Sequence, residues 1–193
     1  MRRKSFIRSG HFIGKRSKYE DHLPIMSLRG RKQGDCQRLS KAGVPYYICP
    51  GTSTWQTLGG RTKNAVENLR LCATHGLAYG AIGYLNTDWG DRGHWQYLPM
   101  SYLGFGVGAA YSWCLDANRA LDIAQALSRF AFDDPNGVMG AVACDLGNVY
   151  QVPHVPRIHN SSVLFHLVQG ASKDEERFKD VTAEDFMGVQ ERI

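Results

Sequence analysis

An apolar run, residues 78–85, empties into Asn86-Thr87-Asp88-Trp89-Gly90-Asp91-Arg92-Gly93-His94-Trp95-Gln96. Small and β-compatible side chains that stop at a cluster of acids, rings and glycines read as a buried strand ending in a site-forming loop. Gly90 and Gly93 suit such a loop, because carboxylates and rings crowded this closely force backbone angles that Cβ-bearing residues avoid. A flat indole beside a carboxylate is also the pairing that a sugar calls for. The ring covers the C–H face while the acid accepts from the hydroxyls. The competing reading makes both tryptophans core residues and both aspartates turn formers.

The pattern of the rest places this loop in an α/β chain. Residues 35–42 read as the end of a helix stopped by Gly43, and residues 44–49 as a short buried strand. A polar loop with Trp55 at its tip follows. Residues 61–75 have helical spacing, with Ala65, Leu69, Cys72 and Ala73 on one face, Thr62 as a cap and Gly76 as a stop. A strand over 78–87 comes next. Helices are expected over 100–115, 117–132, 138–150 and 160–169, with a turn at Asp133-Asp134-Pro135-Asn136-Gly137. The small residues Gly104, Gly106, Gly108, Ala109 and Ala110 mark where the first of these helices must approach another element closely. Strands alternating with helices imply parallel strands with crossovers, and function at their carboxyl ends. Residues 50–57 and 88–96 are both at such ends.

Charge divides the chain. Residues 1–41 carry twelve Lys or Arg and three acids, a balance of +9, which leaves −4 for the remainder of a chain whose net charge is +5. Three expected regions follow: a basic, poorly ordered head (1–35), a barrel-like part (36–116) and a helical extension (117–193). The basic head lacks the aromatic interleaving suited to base stacking, so a solvated tail is favoured over a nucleic-acid arm. Cys36, Cys49, Cys72, Cys114 and Cys144 show no ligand spacing, so neither a metal nor a cofactor is expected. Their odd number and the lack of an apolar leader favour a cytoplasmic setting. No apolar run is long enough to span a membrane.

Three segments carry a resemblance: Tyr47-Ile48-Cys49-Pro50-Gly51-Thr52-Ser53-Thr54-Trp55, Gly60-Arg61-Thr62-Lys63-Asn64-Ala65, and residues 83–94. Together they resemble the C-terminal part of the catalytic barrel in glycoside hydrolase family 20, the β-N-acetylhexosaminidase-like enzymes. The likeness covers roughly residues 39–167. It implies a partial (β/α)8 barrel in which this chain holds the last two strands, over 46–49 and 81–87, before a helical C-terminal region. It further implies that Trp55 contacts the acetamido group, that Trp89 walls the sugar pocket and that Asp91 binds hydroxyls. Thr57 stands where the family has an acid, and Trp55 where it more often has Tyr.

The family's adjacent Asp-Glu pair, its general acid and its acetamido-steering group, belongs to an earlier strand. Here Asp174-Glu175 and the reversed Glu184-Asp185 both lie in the charged tail and read as a solvated face. Asp88, Asp91 and His94 are the remaining candidates for catalysis. A single short loop, however, rarely places groups on both faces of a sugar. Arg92 is a ready ion-pair partner for either aspartate.

The leading expectation is a fragment of a glycoside hydrolase acting on terminal amino sugars, inactive by itself, with Trp55, Thr57, Asp88, Trp89, Asp91 and His94 as substrate contacts. The alternative is a carbohydrate-binding protein without chemistry, and nucleic-acid binding through the head ranks third. Poor solubility or self-association through exposed sheet edges and apolar helix faces is expected in all three cases.

Overall fold

The computed structural model describes residues 25–26, 32–153, 162–169, 178 and 180–193. The described elements are β1 (Ile25–Met26), α1 (Lys32–Lys41), β2 (Tyr47–Ile48), α2 (Thr62–Tyr79), β3 (Gly83–Tyr84), α3 (Tyr102–Asn118), α4 (Ile123–Phe130), α5 (Val138–Leu146), α6 (Val163–Val168) and α7 (Ala183–Arg192). Short 3-10 turns occupy Leu98–Ser101 and Val149–Gln151.

The strands are parallel, in the order β1-β2-β3, with Ile25 opposite Tyr47 and Tyr47 opposite Gly83. The chain is therefore α/β with a predominance of helix. β1 corrects the two-strand expectation, since it lies in the basic stretch that shows no periodicity. A two-residue strand is too short for alternation to register in a sequence. The other basic clusters of the head, and Asp174-Glu175, lie outside the described residues.

α2 separates two packed layers. Its Cys72 meets Cys36 of α1 with Tyr46 and Ile48 on one side, while Ala65, Leu69 and Ala73 meet Leu103, Val107, Tyr111 and Leu115 of α3 on the other. Burying these side chains is worth roughly 1.5–3 kcal/mol for each large one. The expected apolar face of this helix is thus the one buried, but both of its ends differ from expectation. Thr62 does not cap it. The free N–H groups of the first turn are served by the two residues that follow α5 instead: Thr62 N donates to Gly147 O at 2.8 Å and Lys63 N to Asn148 Oδ1 at 3.1 Å.

Nor does Gly76 stop α2. It is buried in the helix, and Gly80, at φ +77°, ends the helix in the left-handed conformation that glycine alone adopts freely. Residues 78–79 are consequently helical, and the expected strand over 78–87 shrinks to Gly83–Tyr84 with an isolated bridge from Thr87 to Gly51.

α3 lies close against the ends of β2 and β3. A Cβ on Gly104 would sit 2.6 Å from Thr52 Cβ, and one on Gly108 would sit 2.1 Å from Asn86 Nδ2. These two of the small residues are therefore required by close approach. The helix starts and ends later than expected and leaves helical geometry at Cys114, where Asn118 Nδ2 serves the carbonyls of Ala110 and Cys114. Leu115, just beyond this break, still belongs to the α2–α3 core.

The expected helix over 117–132 is confined to Ile123–Phe130 because Asp122 caps it, accepting from Gln125 N at 3.0 Å. The helix expected over 138–150 ends at Gly147, and its last residues form the second 3-10 turn. α6 covers part of 160–169, capped by Ser162. In α7 Asp185 and Thr182 form a reciprocal capping box, so Asp185 starts a helix and is buried, a correction to its reading as part of a solvated face.

Candidate functional site

Both chemically rich loops leave the carboxyl ends of adjacent parallel strands, and the sheet pairing carries on between them. Thr52 N donates to Thr87 O and Thr87 N to Pro50 O, each at 2.9 Å. The β2 loop then turns sharply, with Ser53 at φ +63° and Gln56 at φ +52°. Buried Arg61 holds that turn by donating from Nε to Ser53 O at 3.1 Å. Its guanidinium carbon lies 5.0 Å from the centre of the Trp55 ring. This cation–π contact takes one ring face, and the ring edge presses on Gly51, where a Cβ would come within 2.6 Å. Trp55 is partly buried and is in the first place a packing element of its loop.

Thr57, expected as a sugar contact, is buried inside the turn. It is 1% exposed, its hydroxyl donates to Thr54 O at 2.6 Å, and it accepts from Gly60 N at 3.0 Å. Both functions of the hydroxyl are consumed in closing the turn.

Asp88 is the hub. Thr52 Oγ1 donates to its Oδ1, as does Thr54 Oγ1 at 2.7 Å. Ser101 Oγ donates to Oδ2 at 2.9 Å, and His94 Nε2 lies 3.2 Å from the same oxygen. Burial pushes the Asp88 carboxyl up, but the three hydroxyl donors and the neighbouring imidazole outweigh it and hold the group below the ordinary aspartate value. Three hydroxyl donors and the imidazole nitrogen crowd the two oxygens of one carboxylate. Asp88 thus has neither a proton to give near neutral pH nor a vacant oxygen to grip a hydroxyl. Expected as a substrate contact and catalytic candidate, Asp88 here joins the β2 loop, the β3 loop and the approach to α3.

The other aspartate faces outward. Asp91 is partly buried, and Gln56 Nε2 lies 3.4 Å from its Oδ2, which brings the tips of the two loops together. Trp89 and Trp95 are each 48% exposed, so neither is a core residue. Trp89 Nε1 donates to Thr87 Oγ1 at 2.9 Å, which fixes the indole at the strand end. Trp95 packs edge-on against Phe165 of α6 with ring centres 6.0 Å apart. Ser162 N donates to Gln56 O, and Gln169 Nε2 to Arg92 O, each at 3.2 Å, so α6 braces both loops from behind. Arg92, at φ +61°, makes no ion pair among the described residues, contrary to its expected pairing with an aspartate.

Sequence reasoning missed Thr52, Thr54, Ser101, Gln56 and Gln96. A signal existed for the first two. An aspartate at a buried strand end needs donors, and Thr-x-Thr in the neighbouring loop supplies them.

All five cysteines are free thiols, three of them buried. Among the described residues no group of three His, Cys, Asp or Glu is placed to hold a metal ion, and no helix is long and apolar enough to cross a membrane. No protein-family model, curated protein or solved structure matches the chain.

Proposed function

We propose that this chain carries the sugar-contacting loops of a β-N-acetylhexosaminidase-like glycoside hydrolase and holds a terminal amino sugar there without cleaving it. In this reading β2 and β3 are consecutive strands of a (β/α)8 barrel, and β1 stands beside them as a third. Trp89 lies under the pyranose ring, Asp91 accepts from its hydroxyls, and His94 stands at the rim.

The observation that carries the reading is the joining of the two loops through Gln56 and Asp91, two positions along the chain from the half-exposed Trp89. Aromatic area next to an acceptor-only group is what a hydroxyl-rich ring requires. The saturation of Asp88 supports binding over chemistry, because hydrolysis needs a proton donor and a second carboxyl flanking one bond. Cytoplasmic residence is part of the same proposal and rests on the free thiols.

Titrating N-acetylglucosamine into the protein while following Trp fluorescence is the test. A saturable change that disappears in Trp89→Phe supports the reading, and no change with any hexose refutes it. Aryl N-acetyl-glucosaminides should not turn over; turnover that is lost in Asp91→Ala would overturn the non-catalytic half.

A further inference from the structure

We infer that Asp88 is a positioning residue for His94, selecting the imidazole tautomer that turns a bare Nδ1 outward to accept from a ligand hydroxyl or ammonium group. The inference rests on the carbohydrate reading for the ligand, but its first half concerns the protein alone.

The imidazole has a filled edge and an open one. Its Cδ2 packs against Gly90, where even a Cβ would lie only 3.0 Å away. Its Nε2 faces Asp88 Oδ2 at 3.2 Å and Gln96 Nε2 at 3.4 Å. The side chain is nevertheless 39% exposed, and no partner of Nδ1 exists among the described residues. Among the described residues, the contacts of the ring thus fall on its Nε2–Cδ2 side and leave Nδ1 without a protein partner.

The carboxylate decides which nitrogen carries the proton. Asp88 is an acceptor only, so the short approach to Nε2 is favourable when Nε2 bears the hydrogen. A bond to an ionised acceptor outweighs a neutral amide contact at 3.4 Å. As placed, Gln96 pulls the other way, because the amide N–H2 that faces Nε2 can only donate to it. It is 4% exposed and its Oε1 has no hydrogen-bond partner. Turning its carboxamide over removes that opposition, since the oxygen would then share the Nε2 hydrogen with Asp88.

With the hydrogen on Nε2, Nδ1 presents a lone pair. Together with Asp91, the rim then offers two acceptors. It suits ligands that bring donors, such as neutral polyols and amino sugars, and disfavours a ligand carboxylate or phosphate.

The test has two arms. Long-range proton–nitrogen NMR of the nitrogen-15-labelled protein without ligand, at a pH where the ring is neutral, should show His94 with its hydrogen on Nε2. A hydrogen on Nδ1 overturns the positioning role. In the second arm, His94→Gln keeps an amide to reach Asp88 but loses the Nδ1 acceptor. Its affinity for glucosamine should fall about tenfold or more, as for one lost hydrogen bond to a charged or polar partner, with its urea midpoint unchanged. Undiminished affinity overturns the contact role, and so does glucuronate binding as tightly as glucosamine. If the wild-type protein binds no sugar at all, the carbohydrate reading fails and the contact role with it. The ligand-free tautomer still decides the positioning role independently.

Discussion

Thr54 Oγ1 donates to Asp88 Oδ1 across 2.7 Å, joining loops that are 34 residues apart in sequence. With Thr52 and Ser101 on the same carboxylate, this contact converts two flexible crossovers into one surface. The donors are buried, with Thr52 at 1%, Thr54 at 2% and Ser101 at 0% exposure, so none can turn to water if the acceptor is lost.

Asp88→Ala should therefore destabilise the protein by about 2–3 kcal/mol, the cost of leaving buried hydroxyls without their acceptor. Asp91→Ala, at the outer rim, should change stability by less than about 0.5 kcal/mol while weakening sugar binding. Urea unfolding of both variants measures the contrast.

The same carboxylate sets an acid limit. Its folded-state value lies below the ordinary one, so it contributes stability that is fully present above the unfolded aspartate value, about 3.9, and is lost as pH falls through the folded value. Unfolding free energy should decline as pH drops below about 4, and Asp88→Asn should flatten that decline. An identical slope in the variant would assign the acid sensitivity to other carboxyls.

Two neighbouring glycines of α3 should respond in opposite senses to alanine. A Cβ on Gly108 meets the Asn86 amide at 2.1 Å, whereas one on Gly106 meets only Leu127 Cδ2 at 3.7 Å, an ordinary contact. Gly108→Ala should cost about 1–3 kcal/mol by forcing the helix away from the strand end. Gly106→Ala should gain up to about 1 kcal/mol of helix propensity. Thermal unfolding of the pair separates close packing from propensity.

The α-helical and β-strand content was legible wherever local chemistry decided it. Ala65, Leu69, Cys72 and Ala73 mark the buried face of α2, Gly43 follows α1, and the Asp133–Gly137 turn sits where its composition puts it. The errors arose where distant residues decide. Thr62 is not a cap because Gly147 and Asn148, more than eighty positions away, serve the first turn of α2.

The site shows the same division. Trp89 and His94 are exposed and Asp91 is partly buried. Thr57 and Asp88 have the right residue types, but their polar atoms are consumed internally. Residue type reports what a group can do, and only geometry reports whether that capacity is already used.

A second surface provides a natural control for sugar binding. α3 and α4 enclose an apolar groove of about 600 Å³ lined by Phe105, Leu121 and Phe130 among others, away from Asp88 and Asp91 in the chain. Phe130→Ser should leave sugar affinity unchanged, because a ring that is 80% exposed and outside both loops makes no contribution to them.

The most direct test of the central claim is a proton–nitrogen correlation titration of the labelled protein with N-acetylglucosamine. The Trp89 indole and the backbone amides of Gln56, Asp91 and His94 should shift together along one saturation curve. Absent shifts, or shifts confined to the α3–α4 groove, would contradict a sugar site built from these two loops.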